Sequence, residues 1–259
     1  MFIDQRIFVS TEKERKLGGN IMSELTLKER IHAGETIIGV GLSYTVNRDY
    51  LQSLLDKYEY DFCHIDVQHG PINEEAILSF CAIAHDFDLP VKMRIKHARD
   101  AYLIGNYLDL GLSGIEIPSA ELNSTVDEAL NALFYPPTGR RSWGQPHKGP
   151  GIPTDRIGHA KWYDNYGMLW LQMESIKGAT DALKLAKPGV DCFSFGPNDL
   201  NFDIETYPAH PLNSVDKCVN HVVEQLADST AAAAFRTTPE NRQKYADMGV
   251  TVFLEEPSE

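Results

Sequence analysis

The stretch Asp61–Pro71, DFCHIDVQHGP, decides how the rest of the chain is read. Phe62, Ile65 and Val67 give it the apolar character of a buried strand, and Gly70-Pro71 stops it. Yet His64, Asp66, Gln68 and His69 are crowded into the same few positions. Side chains alternate along a strand, so Asp66 and Gln68 share one face, with His64 below them. A strand that only fills a core has little use for so many polar groups. A parallel barrel, by contrast, gathers polar strand ends at one mouth.

Outward from this segment, short β-branched runs alternate with helical patterns. The strand candidates are TIIGVGL (36–42), FCHIDV (62–67), PVKMRI (90–95), GIEIPS (114–119), LWLQME (169–174), CFSFGP (192–197), STAAAAF (229–235) and VTVFLEE (250–256). Seven helical segments separate them, several opening on a capping residue such as Asn73 before Glu74 and Glu75. Eight such units in 259 residues predict an α/β fold, a (β/α)8 TIM barrel. A doubly wound open sheet is disfavoured, because no G-x-G-x-x-G follows the first strand. One catalytic domain is expected over residues 21–259, behind an N-terminal extension of residues 1–20, since NIMSELTLKERIHAGE reads like a second start. The chain stops at EEPSE after the eighth strand, so the final helix of such a barrel is expected to be lacking. The Pro-, Gly- and base-rich segment FYPPTGRRSWGQPHKGPGIPTDRIGHAKWYDNYG is expected at the active-site face.

Composition narrows the class. A net charge of -13 argues against a nucleic-acid partner. No apolar run is long enough for a membrane span, and the N-terminus has no signal-peptide pattern, so a cytoplasmic protein is expected. Cys63, Cys81, Cys192 and Cys218 lie scattered in apolar segments without a C-x-x-C pair and read as reduced, buried thiols.

Period-two spacing puts Lys92 with Arg94 on strand three and Gln172 with Glu174 on strand five, while Asp199 falls just past strand six. Each has a plain structural alternative: Arg94 as a neutralising partner for Asp66, Glu174 as an ion-pair partner, His69 as a hydrogen-bonded strand-end group. Their convergence at one barrel mouth points to catalysis. Two carboxylates make an oxygen-rich site suited to Mg²⁺ or Mn²⁺, with Co²⁺ or Zn²⁺ as further candidates. Arg94 would stabilise negative charge on an oxygen, and His69, within reach of Asp66, would move a proton. That set suits proton abstraction or C–C cleavage beside a carbonyl. A Schiff base on Lys92 is the competing mechanism, its structural alternative being a partner for an inward carboxylate.

The ordered set DFCHIDVQHGP, VKMRI, GIEIPS, YPPTGRRSWG, LQMES and FGPNDL resembles the HpcH/HpaI family of metal-dependent (class II) pyruvate aldolases, from about Leu25 to Glu255. The resemblance implies that Glu174 and Asp199 ligate the divalent metal and that Arg94 stabilises an enolate. His69, paired with Asp66, would act as the base. Backbone N–H groups at Asn198 and Asp199, after Gly196-Pro197, would hold the pyruvate carboxylate, with Gln172 lining the same pocket. Arg140, Arg141, His147 and Lys148 would face the aldehyde partner. The implied substrates are a small 2-oxo acid and an aldehyde, and the implied assembly is a homo-oligomer. The chain departs from the family's pattern at Gln68, where relatives carry Glu before the histidine, and in the missing last helix. A barrel that binds a keto acid or a partner without turnover, or a malyl-CoA/citrate-lyase-like lyase, are the alternatives.

Overall fold

The inward faces of the strands leave one arrangement for this chain. The structure, a computed structural model, describes residues 25–144, 147–148 and 151–257. The expected extension, residues 1–20, lies outside the described residues. Eight parallel strands form a closed barrel in sequence order: β1 Ile37–Gly41, β2 Phe62–Asp66, β3 Val91–Arg94, β4 Gly114–Ile117, β5 Met168–Met173, β6 Cys192–Phe195, β7 Ala232–Thr237 and β8 Val252–Glu255. β8 pairs with β1, Ile37 opposite Val252 and Val40 opposite Glu255, which closes the ring. All four cysteines are free and buried. Among the described residues, no helix is long and apolar enough to cross a membrane, and none follows β8.

The helices start where the sequence supplies caps. Asn73 accepts from Ala76 N to open α3 (Glu74–His85), and Ser214 accepts from Lys217 N to open α10 (Val215–Gln225). Pro197 occupies the first turn of α9 (Pro197–Thr206), where its missing N–H costs nothing. One helix has no counterpart among the expected segments. α1 (Leu27–His32) opens with a capping box between Thr26 and Glu29 and covers the N-terminal end of the barrel. Its Leu27 and Ile31 pack with the inward residues Ile37, Phe62, Met168, Trp170 and Val252. Lys28 and His32 both reach buried Asp191, at 3.2 and 2.8 Å.

Two expectations are corrected. β7 starts three residues later than expected, because Ser229 closes a turn on Leu226 and caps Ala231 N with its hydroxyl. The alanine run carried no alternation that could have set the register. The strand also runs two residues past its expected end, to Thr237, which brings Arg236 into it on the inward face with Ala232 and Ala234. The basic insertion is not at the mouth either. β4 is followed by α5 (Asn123–Leu133), and the Pro/Gly-rich segment comes after that helix, on the return to the opposite end of the barrel. There Arg141 is buried on the rings of Tyr135 and Tyr163 and bonded to Asp109 at 2.6 Å, while His147 lies against Trp162 and Tyr166.

Candidate active site

The barrel interior changes character with height. The layer over α1 is apolar, with Phe62 set against Trp170 at 5.5 Å between ring centroids. Gly39 makes room for it: a Cβ there would lie 2.1 Å from the Phe62 ring. The next layer is charged and buried. Lys92 Nζ donates to Glu116 Oε2 at 2.8 Å and sits 4.0 Å over the Trp170 ring. Ser194 donates to the other Glu116 oxygen, and His64 Nδ1 lies 3.8 Å from Oε2. Burial would push the Glu116 carboxyl up, but the charge of Lys92 and the hydrogen bonds from Lys92 and Ser194 outweigh it and hold it far below the usual range. His64 is kept neutral by burial and by the charge of Lys92. Lys92, at 1% exposure and bonded to Glu116, has the inward carboxylate partner that competes with a Schiff-base role.

Above this layer lies the mouth. Arg94, buried at the end of β3, forms a two-pronged pair with Asp66 of β2: Nε to Oδ1 at 3.0 Å and Nη2 to Oδ2 at 2.5 Å. Its Nη1 donates to Gln172 Oε1 at 3.0 Å and approaches Glu174 Oε1 at 3.5 Å. β2, β3 and β5 thus bring four expected residues together. Burial would raise the Asp66 carboxyl, but the hydrogen bond and charge of Arg94 and the Gln68 N–H lower it overall. Glu174 behaves oppositely. Burial pushes it up and the charge of Asp199 adds to this, against the Ser119 hydrogen bonds and Arg94. Ser119 gives Glu174 Oε2 both its N–H (2.9 Å) and its hydroxyl (2.7 Å), from a left-handed backbone at φ 46°.

β6 and α9 supply the remaining wall. Gly196 lies so close to β5 that a Cβ would fall 2.7 Å from Glu174 Oε1 and 3.0 Å from Gln172 Nε2. Pro197, Asn198 and Asp199 form the first turn of α9, whose N–H groups at Asn198 and Asp199 have no acceptor within the helix. Such a turn attracts anions. Asp199 is exposed there, its carboxylate acting on Glu174.

The expected Asp66–His69 pair is not formed. Asp66 Oδ1 is taken by Arg94 and by Gln68 N–H at 2.9 Å, and Oδ2 by Arg94, while His69 stands exposed at the rim. The guanidinium, arriving from the adjacent strand with Arg94 opposite Asp66, outcompetes a side chain three residues along the same chain. Gln68 turns instead toward a recess of about 270 Å³ that Ser119 also lines. Its Oε1 is buried with no donor among the described residues. Glu116 and Arg236 were missed from sequence. Period-two alternation within GIEIPS would have turned Glu116 inward beside Lys92, whereas Arg236 fell one residue beyond the expected end of β7.

Known proteins share this fold and match most of the length of the chain. The model of the HpcH/HpaI aldolase/citrate lyase family matches residues 41–252. A hydroxypyruvate/pyruvate aldolase of Roseobacter denitrificans is 28% identical, over 82% of each chain. A 2-keto-3-deoxy-L-rhamnonate aldolase of Escherichia coli is 29% identical, over 80% of this chain and 77% of its own. The crystal structure of an HpcH/HpaI aldolase from Desulfitobacterium hafniense superposes with a TM-score of 0.77 at 23% identity, over 90% of each chain, a likeness of fold. The ordered strand ends, the closed barrel and a match over most of its length place this chain in the HpcH/HpaI aldolase/citrate lyase family.

Proposed function

We propose that the protein is a class II aldolase that cleaves a 4-hydroxy-2-oxo acid into pyruvate, or a similar 2-oxo acid, and an aldehyde. The observation that carries this is Arg94: a buried guanidinium fixed by Asp66 and Gln172, aimed at a mouth that also holds Glu174. A fixed cation of this kind stabilises the oxygen of an enolate as it forms. The first-turn N–H groups of Asn198 and Asp199 hold the substrate carboxylate, and Gly196 lets it approach the strand wall.

Glu174 and Asp199 are the residues that would hold a divalent metal. The fit rests on two carboxylates that repel each other, one of them pushed up by burial, both oxygen donors of the kind Mg²⁺ or Mn²⁺ prefers. Among the described residues no third His, Cys, Asp or Glu completes a closed cluster, so the remaining positions fall to substrate and water. When bound, such an ion would polarise the keto group and help neutralise charge on its oxygen.

In the cleavage direction the proton leaves the C4 hydroxyl, the C3–C4 bond breaks, and its electron pair moves into the enolate facing Arg94. Asp66, with its oxygens committed to Arg94, positions that guanidinium. His69, exposed and unpaired with Asp66, carries the proton. Protonation at C3 then gives the 2-oxo acid. Pyruvate release from 4-hydroxy-2-oxo acids should be abolished by EDTA and restored by Mg²⁺, Mn²⁺ or Co²⁺; full activity in EDTA would overturn the metal-dependent reading. Self-association is supported by exposed Phe202 and Tyr207 at α9, and light scattering should show more than one copy per particle.

A further inference from the structure

The mouth has a second polar recess that the chemistry above does not use. It is a cavity of about 200 Å³, bordered by Ser43, His64, Asp66, Arg236 and Glu256, with Gly41 at its edge. Asp66 stands between it and Arg94. Arg236 is the last inward residue of β7, and its Nη2 lies 3.2 Å from His64 Nε2. A guanidinium only donates, so Nε2 accepts and the imidazole proton sits on Nδ1, toward Glu116. Nη1 donates to Glu256 Oε1 at 3.1 Å. Glu256 leans over the end of β1, where a Cβ on Gly41 would come within 3.1 Å of its carboxylate. Arg236 is therefore held from below by a neutral ring and from the side by a carboxylate whose side chain is 74% exposed.

This arrangement has a definite complement. A donor and an acceptor stand side by side at the opening, and Ser43 borders the same recess. Adjacent hydroxyl groups satisfy both, donating a hydrogen bond to Glu256 and accepting one from Arg236. A carboxylate tail would meet Arg236 but also Glu256 and Asp66. The charges balance, Arg236 against Glu256 and Arg94 against Asp66, so no excess positive charge is left to hold an anion. Its volume, roughly that of six or seven waters, admits a short chain.

Resting on the aldolase reading, we propose that Arg236 and Glu256 determine specificity, and that the aldehyde half they bind is a short hydroxylated chain rather than an anionic one. The test compares condensation of pyruvate with glyceraldehyde, propanal and succinic semialdehyde, using the full chain with Mn²⁺. Arg236→Met and Glu256→Gln should each lower the kcat/KM ratio of glyceraldehyde to propanal about tenfold, the loss expected for one hydrogen bond to a charged group. Glu256 is exposed, so its variant tests the idea even if Arg236→Met folds poorly. An unchanged ratio in Glu256→Gln overturns the proposal. So does a wild-type preference for succinic semialdehyde that Glu256→Gln strengthens, since Arg236 would then be an anion site. Exchange of pyruvate methyl protons in D₂O by the wild type separates the two levels. Exchange without hydroxyl discrimination removes this inference alone, and no exchange removes the aldolase reading with it.

Discussion

Arg94 and Lys92 lie two residues apart on one strand face, yet they do different things. Arg94 at the mouth presents a planar fork that Asp66 and Gln172 hold still, and no ammonium reproduces that geometry. Arg94→Lys should lower kcat about 100-fold with a smaller change in KM, measured by steady-state pyruvate release. Lys92 and Glu116 form a buried pair one layer down. Removing one partner strands the other, so Glu116→Leu should cost about 3–5 kcal/mol in denaturant unfolding, and Lys92→Met with Glu116→Leu should recover most of it. A single variant as stable as the double would contradict the pairing. The pH dependence follows from the signs. Glu116 and Asp66 are depressed in the folded state, so their contributions are complete above the unfolded carboxylate range, near 4, and are lost as pH falls toward the folded values. Glu174 is raised and works the other way, being relieved as pH falls. Two depressed groups, one fully buried, outweigh one raised group. Thermal melts should therefore drop below about pH 4.5, and the drop should be shallower in the Lys92→Met, Glu116→Leu double variant.

At the scale of the element, close approach between neighbouring strands decides what a position tolerates. Gly196→Ala would drive a methyl group into Glu174 and Gln172, so Mn²⁺ affinity by calorimetry should weaken at least about tenfold. Gly39→Ala meets the Phe62 ring at the opposite end of the barrel, so its effect should fall on Tm, not on metal binding. Most strands were legible because their inward and outward faces differ: β2, β3, β5 and β6 lie where alternation places them, and so do Arg94, Gln172 and Glu174. β7 was not, because four consecutive alanines look alike from both faces, and Arg236 lay just beyond the span assigned to it. The Asp66–His69 pair was read from proximity along one chain, whereas the partner that takes Asp66 comes from the neighbouring strand. The insertion was assigned to the mouth by its composition. The order of elements decides otherwise, because α5 intervenes and carries the chain to the far end before the basic residues begin.

For the whole molecule, barrel closure joins the first strand to the last. Ile37 and Val252 are paired across 215 positions (252 − 37). A chain ending before Val250 would leave β1 and β7 as open edges and should lose its cooperative thermal transition; a sharp melt in that truncation would show that β8 is dispensable. The same pairing bears on the protein's birth. At about 5–20 residues per second, the ribosome needs roughly 10 to 40 seconds after β1 is made to deliver its final neighbour. Through that interval the hydrogen-bonding edge of β1 that β8 will cover has no partner from its own sheet. The nascent chain is therefore a natural client for a holding chaperone. Synonymous codons that slow translation between β7 and β8 should lower soluble yield without changing a single residue of the finished barrel.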